Sequence, residues 1–225
     1  MIKKILKESS IDYPGKFGPI VFTAGCNFRC SFCHNPELVE FDESGINEDK
    51  FISDIKDKVE SGWYNGVCIS GGEPTLHSLE NFLRKLKNLG LSVKIDTNGT
   101  KPEVLRKWAD EKLIDYIAMD VKASREKYNE VAGVNVDLNK IEESMKIVSE
   151  VGGEFRTTAL KRYHNEGEIK KIAEWIKEYG VKFVIQGFRN FGVLGGLDDE
   201  DASKDFILRL KKTAEESGLN VEIRI

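Results

Sequence analysis

Short apolar runs and amphipathic stretches alternate along this chain, and the period of the pattern changes with them. Residues 19–23 (PIVFT), 66–70 (GVCIS), 91–96, 116–121, 154–160 and 181–186 are brief runs that predict strands. Between them the period lengthens. Phe51, Ile52, Ile55 and Val59 recur at helical spacing and predict a helix over 47–60. Further helices are expected over 78–88, from 102 to about 111, and over 138–151, 166–179 and 201–217, with a short strand at 220–225. The punctuation agrees. Pro102 stands in a first helical turn, where its missing N–H costs nothing. Gly90, Gly152, Gly180 and Gly218 follow helix ends, a usual stop signal. Six successive strand–helix units imply an α/β fold with a parallel sheet and right-handed crossovers. Such a series either curls into a partial barrel or stays doubly wound. No Gly-Ser linker or low-complexity stretch interrupts it, so a single domain over 1–225 is expected. Its core would span about 17–190, with an N-terminal segment 1–16 and a C-terminal helix and strand in 191–225. Residues 192–201 read as a loop.

The polar residues fall in one place. In barrels of this type catalytic groups collect at the C-terminal ends of the strands. The cysteine loop follows the first predicted strand, and Gly71-Gly72-Glu73-Pro74 follows the second. Asp96-Thr97-Asn98-Gly99 closes the third, Asp120 and Lys122 the fourth, and Gln186 and Arg189 the sixth. Arg156 and Thr158 lie in the fifth. Strand period puts Lys94 with Asp96, Asp120 with Lys122, and Glu154 with Arg156 and Thr158 on shared faces. Charges there must pair with one another or hold a charged ligand.

Composition narrows the setting. The 225 residues hold 34 Lys and Arg against 38 Asp and Glu, a net charge of −4. Mild acidity argues against a partner held through phosphate contacts, so no nucleic acid is expected. No run of 18 apolar residues suggests a membrane span, and the N-terminal apolar run is too short for a secretory signal. A cytoplasmic, reducing location is expected. There, three clustered cysteines more often bind metal or do chemistry than form disulfides. The cluster reads Cys26-Asn27-Phe28-Arg29-Cys30-Ser31-Phe32-Cys33-His34, a C-x3-C-x2-C spacing. Three thiolates on a short loop can hold an iron–sulfur cluster with one iron left open. Three readings compete with it: zinc held by Cys26, Cys30, Cys33 and His34, which requires adjacent residues 33 and 34 to coordinate together; buried cysteines with no metal, against which Asn27, Arg29 and Ser31 speak; and a chance match. Cys68, between Val67 and Ile69, reads as a small buried hydrophobe. His34 is placed to support the loop, His77 reads as a surface residue or cap neighbour, and His164, in a basic stretch, as part of a solvated loop.

At these residues the chain resembles the radical S-adenosylmethionine superfamily, over residues 19 to about 189. The carrying features are Cys26-x3-Cys30-x2-Cys33 with Phe32 before the last cysteine, and Gly71-Gly72-Glu73-Pro74 after the second strand. The resemblance implies a partial (β/α)6 TIM-like barrel of the radical SAM type. It implies a [4Fe-4S] cluster on Cys26, Cys30 and Cys33, whose open iron chelates S-adenosylmethionine. One-electron cleavage would then give methionine and a 5′-deoxyadenosyl radical. A narrower likeness is to glycyl-radical-enzyme activases. It is carried by Ile11-Asp12-Tyr13-Pro14-Gly15-Lys16, Cys33-His34-Asn35-Pro36-Glu37-Leu38, Asp96-Thr97-Asn98-Gly99, Met119-Asp120-Val121-Lys122 and Arg156-Thr157-Thr158. Gln186-Gly187-Phe188-Arg189 resembles a motif of the anaerobic ribonucleoside-triphosphate reductase activating branch. Carried over, Phe32, Gly71, Gly72, Glu73, Asp96, Lys122, Arg156 and Gln186 would bind the cofactor, and Asp96 with Asp120 would hold a monovalent cation. The implied partners are a glycyl radical enzyme and an electron donor such as flavodoxin or ferredoxin. A pyruvate formate-lyase-type activase, or a radical enzyme acting on a small molecule, is the alternative.

Overall fold

A computed structural model describes residues 2–42, 44–197 and 199–225. The strands are β1 (Ile2–Ser9), β2 (Gly18–Thr23), β3 (Gly66–Gly71), β4 (Ser92–Thr97), β5 (Tyr116–Asp120), β6 (Gly153–Ala159), β7 (Lys182–Gly187) and β8 (Val221–Arg224). The helices are α1 (Glu48–Glu60), α2 (Glu80–Asn88), α3 (Pro102–Asp110), α4 (Tyr128–Ala132), α5 (Leu138–Val151), α6 (Glu166–Ile176) and α7 (Lys204–Glu216). The strands follow one another in chain order within one sheet. β1 runs antiparallel to β2, while β2–β3, β3–β4, β6–β7 and β7–β8 are parallel. This is the α/β class that the alternating pattern predicts.

The chain condenses into two compact units. One comprises Met1–Asn27, Glu37–Thr97 and Lys101–Ile117; the other comprises Phe28–Pro36, Asn98–Thr100 and Ala118–Ile225. In the first, Val67, Ile69, Val93 and Ile95 are buried along with Leu83 and Leu86 of α2 and Leu105 and Trp108 of α3. In the second, the core is Ile169, Ile172 and Ile176 of α6, Phe183 and Ile185 of β7, and Phe206, Ile207 and Leu210 of α7. Each such buried side chain contributes about 1.5–3 kcal/mol relative to exposure, so these layers carry the fold.

Helix starts are set by side-chain caps. Asn47, Asn165 and Ser203 accept from the N–H groups of Lys50, Glu168 and Phe206. Ser203 therefore begins α7 later than the predicted 201. β1 and α4 have no counterpart in the sequence expectations. β1 reads IKKILKES, with no two-residue alternation, and only Ile2 in it is buried. α4 is a single short turn closed by Gly133 at φ +70°. Lys122 lies just past the end of β5 rather than on it.

Candidate active site

Each unit carries candidate residues of its own. In the first, β2 ends at Thr23 and the chain enters the cysteine loop. Gly25 N–H donates to Leu38 O at 2.8 Å and Cys26 N–H to Val39 O at 2.9 Å. The end of β3 closes on the same backbone, with Gly72 N–H donating to Thr23 O (2.9 Å) and Glu73 N–H to Gly25 O (2.8 Å). A Cβ on Gly71 would lie 2.3 Å from Thr23 N and O, and one on Gly72 2.2 Å from Gly25 O. The glycine pair is thus required by main chain meeting main chain. Glu73, 1% exposed, accepts at one carboxylate oxygen from Thr75 N–H (3.0 Å), Thr75 Oγ1 (2.6 Å) and Thr97 Oγ1 (2.8 Å). It caps the 3-10 turn Pro74–Leu76 and ties it to the end of β4.

His77 differs from its sequence expectation. It is half-buried, its ring stacks edge-on against Phe41, and its Nε2 lies 2.7 Å from the Ala24 carbonyl, to which it donates. Burial lowers its pKa, keeping it neutral for that bond. Lys94 and Asp96 share a face as predicted and form a salt bridge. Cys68 is buried, as its flanking residues predict.

The second unit holds the rest. Cys33 N–H donates to Cys30 O at 3.1 Å, closing a tight turn. Two remote segments clamp this turn, and Cys30 Sγ also reaches Ala132 O at 3.8 Å. Arg29 N–H donates to Ala132 O (2.9 Å), while Leu194 and Gly195 N–H donate to Cys33 O (3.1 Å) and Ser31 O (2.8 Å). Cys30 is buried, and burial pushes its thiol pKa up, while Lys122 opposes the shift. Cys26 and Cys33 are partly exposed, and none of the four cysteines is in a disulfide among the described residues. Among those residues no three His, Cys, Asp or Glu side chains gather as they would around a single ion.

Beside the loop stands a charge cluster. Asp120 accepts from Lys122 Nζ at 2.8 Å on Oδ2 and from Arg156 Nε at 2.9 Å on Oδ1. Burial alone would raise the Asp120 pKa, but Arg156 and Lys122 outweigh it and hold the carboxyl at about 2. Burial likewise works against the Lys122 ammonium, and Asp120 more than compensates, raising its pKa. Lys122 Nζ also sits 5.8 Å from the ring centroid of Phe32, which is buried and tilted against Tyr163 at 6.2 Å. Gln186 pairs in register with Thr158 near the end of β7. His34 stacks on Phe188 at 5.6 Å, and its Nε2 lies 2.7 Å from the Arg189 carbonyl. That bond supports the loop, as the sequence suggests.

His164 corrects a sequence expectation outright. It is 1% exposed rather than solvated. Its Nδ1 accepts from Leu160 N–H at 3.2 Å, and its Nε2 donates to Lys122 O at 3.0 Å. Glu154, on the polar face with Arg156, is consumed structurally by a bidentate pair with Arg224 at 2.7 and 2.8 Å.

The sequence pattern of the radical SAM superfamily matches residues 20–176. A protein of Methanocaldococcus jannaschii, provisionally named a glycyl-radical enzyme activating enzyme, is 35% identical over 196 residues, 84% of this chain and 80% of its own length. The chain belongs to the radical SAM superfamily, in its glycyl-radical-enzyme activase branch. It is accordingly an enzyme. A pyruvate formate-lyase-activating enzyme of Staphylococcus epidermidis is 34% identical over 125 residues, 50% of this chain and 49% of that one. Among solved structures, SuiB of Streptococcus suis superposes on 92% of the chain with a TM-score of 0.70 at 20% identity. The chain spans about half of SuiB, 48% of its length. SuiB has also been solved with S-adenosylmethionine, at a TM-score of 0.65. The likeness fixes the fold as the partial (β/α)6 barrel of this superfamily. Its cofactors are a [4Fe-4S] cluster and S-adenosylmethionine, and the donor set here suits them. Three thiols sit on one backbone-clamped loop, and a cluster so held keeps one iron open. No helix among the described residues is long and apolar enough to cross a membrane.

Proposed function

We propose that this chain activates a glycyl radical enzyme, foremost an anaerobic ribonucleoside-triphosphate reductase, by installing a radical on a glycine of that partner. The observation that carries this reading is the 35% identity to a provisionally named activating enzyme across most of both chains. Contact of His34 with Phe188 and Arg189 supports the narrower branch, because it joins the residues after the cysteine loop to the Gln186-Gly187-Phe188-Arg189 motif.

Cys26, Cys30 and Cys33 would hold the cluster. When bound, the reduced cluster and S-adenosylmethionine supply one-electron cleavage of the sulfonium and a carbon radical that takes a glycine Cα hydrogen. The chain's own residues bind and orient. Lys122 and Arg156 carry two positive charges against the single negative charge of Asp120. That surplus suits the carboxylate of S-adenosylmethionine. Gly71 and Gly72 bring the β3 end onto the loop backbone, and Glu73 locks that turn to Thr97. Phe32 and Tyr163 pack beside the loop and exclude water, which a carbon radical requires. Asp96 and Gln186 are read as further cofactor contacts. No monovalent cation is needed at Asp96 or Asp120, since basic side chains engage both carboxylates. Flavodoxin or ferredoxin is the proposed electron donor.

Anaerobically purified chain should contain about four irons, as cluster chemistry requires, rather than one zinc. Incubated with the reductase, a reductant and S-adenosylmethionine, it should generate a glycyl doublet in the electron-spin spectrum. A signal only with pyruvate formate-lyase would move the assignment to that partner. No signal with any glycyl radical enzyme, but deoxyadenosine release dependent on a small molecule, would end the activase reading.

A further inference from the structure

The family likeness implies a monovalent cation at Asp96 and Asp120, and the side chains around these carboxylates do not suit one. Lys94 is 1% exposed and lies two residues before Asp96 on the same face of β4. Its ammonium donates to the Asp96 carboxylate and, at 3.7 Å, to Cys68 Sγ. Cys68 is the register partner of Lys94 on β3, so strand pairing itself sets this contact. A buried ammonium is costly without its counter-charge, so Lys94 holds Asp96 tightly. Asp120 is engaged on both oxygens, by Lys122 and by Arg156. Each carboxylate is therefore engaged by basic groups of its own unit. A sodium or potassium ion at Asp96 would lie beside the Lys94 ammonium, and one at Asp120 would bind an oxygen already given to Lys122 or Arg156; like charges repel strongly where water is scarce.

We propose that Lys94 is a built-in cation: its ammonium takes the place at Asp96 that a monovalent metal ion would fill, so S-adenosylmethionine binding by this chain needs neither K⁺ nor Na⁺. The inference rests on the activase reading for the identity of the ligand. The charge arrangement does not depend on that reading. The ammonium serves where a metal would because it is monovalent, donates to oxygen, and is held on the chain, so it is present at any salt composition.

The cluster-loaded full chain, titrated anaerobically with S-adenosylmethionine, should give the same Kd within about twofold in KCl, NaCl and choline chloride at equal ionic strength. A Kd about tenfold weaker in choline, restored by K⁺ or Na⁺, overturns the proposal. The ²³Na line width of the same protein without S-adenosylmethionine gives an independent readout. Saturable broadening that K⁺ displaces overturns the proposal, and its absence supports it. Lys94→Met should convert the chain to a cation-dependent one, with weak binding in choline rescued by KCl. Should that variant not fold, the native titration and the line width still decide. If S-adenosylmethionine binds in none of the salts, the activase reading fails, and the ²³Na result alone judges Lys94.

Discussion

At the scale of single residues, the site is shaped as much by absent side chains as by present ones. Gly133 stands at φ +70°, and a Cβ there would lie 2.4 Å from the Arg29 carbonyl carried by the cysteine loop. Gly180 has a similar backbone demand, φ +64° and ψ 18°, with nothing within 4 Å of an added Cβ. The two glycines separate conformational strain from collision. Gly180→Ala should cost about 1–2 kcal/mol, the penalty for a left-handed L-residue. Gly133→Ala should cost more than that and should also reduce iron retained after desalting. Equal melting temperatures and equal iron for the two variants would show that the loop does not lean on residue 133. Of the residues expected to bind cofactor, Asp96, Lys122, Arg156 and the three cysteines could be picked out because a charge on the polar face of a strand or just after it, or a cluster of thiols following one, is hard to explain otherwise. Lys94 was legible as a member of that face, but its pairing with Cys68 was not, since register is a property of two strands.

At the scale of elements, the segment from Val121 to Ser124 is held backbone group by backbone group. Val121 N–H donates to Arg156 O at 2.8 Å, Thr157 Oγ1 donates to Val121 O at 2.6 Å, His164 reaches Lys122 O, and Ser124 N–H donates to Glu168 at 3.0 Å. β6 and α6, with the turn between them, thus aim Lys122. The sequence hid this. Lys161-Arg162-Tyr163-His164 looks uniformly solvated, yet the turn made by Tyr163 and His164 N–H groups on Leu160 O rotates His164 inward and leaves Lys161 and Arg162 outside. Burial lowers the His164 pKa from 6.5 to about 4. Because the folded value lies below the unfolded one, the neutral ring's stabilisation is fully present above pH 6.5. It is lost as pH falls from there through 4, by about 3 kcal/mol from this group alone. Denaturant melts should show that loss, and His164→Gln, which cannot titrate, should flatten it. An unchanged pH slope in the variant would assign the acid sensitivity to carboxylates instead.

At the scale of the whole molecule, the βα rhythm was readable because each unit repeats the same switch between two periods, with glycine or a polar cap marking the junctions. What escaped was structure without a side-chain signature: the backbone clamps from residues 132 and 194–195 onto the cysteine loop, and β1, whose pattern of lysines alternates with nothing. That strand has a further consequence. Among the described residues β1 pairs with β2 alone in the sheet; Ile2 O also accepts from Ile46 N–H and Lys7 O from the Tyr64 hydroxyl, and the main-chain groups left on its outer flank could template a neighbouring molecule. Lys3, Lys4 and Lys7 lie along it, with Lys4 and Lys7 exposed. Charged side chains along an edge strand disfavour pairing with a second copy, so the composition that concealed the strand also works against such joining. Replacing all three lysines by threonine should preserve the circular dichroism of the fold but bring on light scattering at concentrations where the native chain stays clear. The guard against fibre growth is thus built from the same residues that make β1 hardest to recognise as a strand.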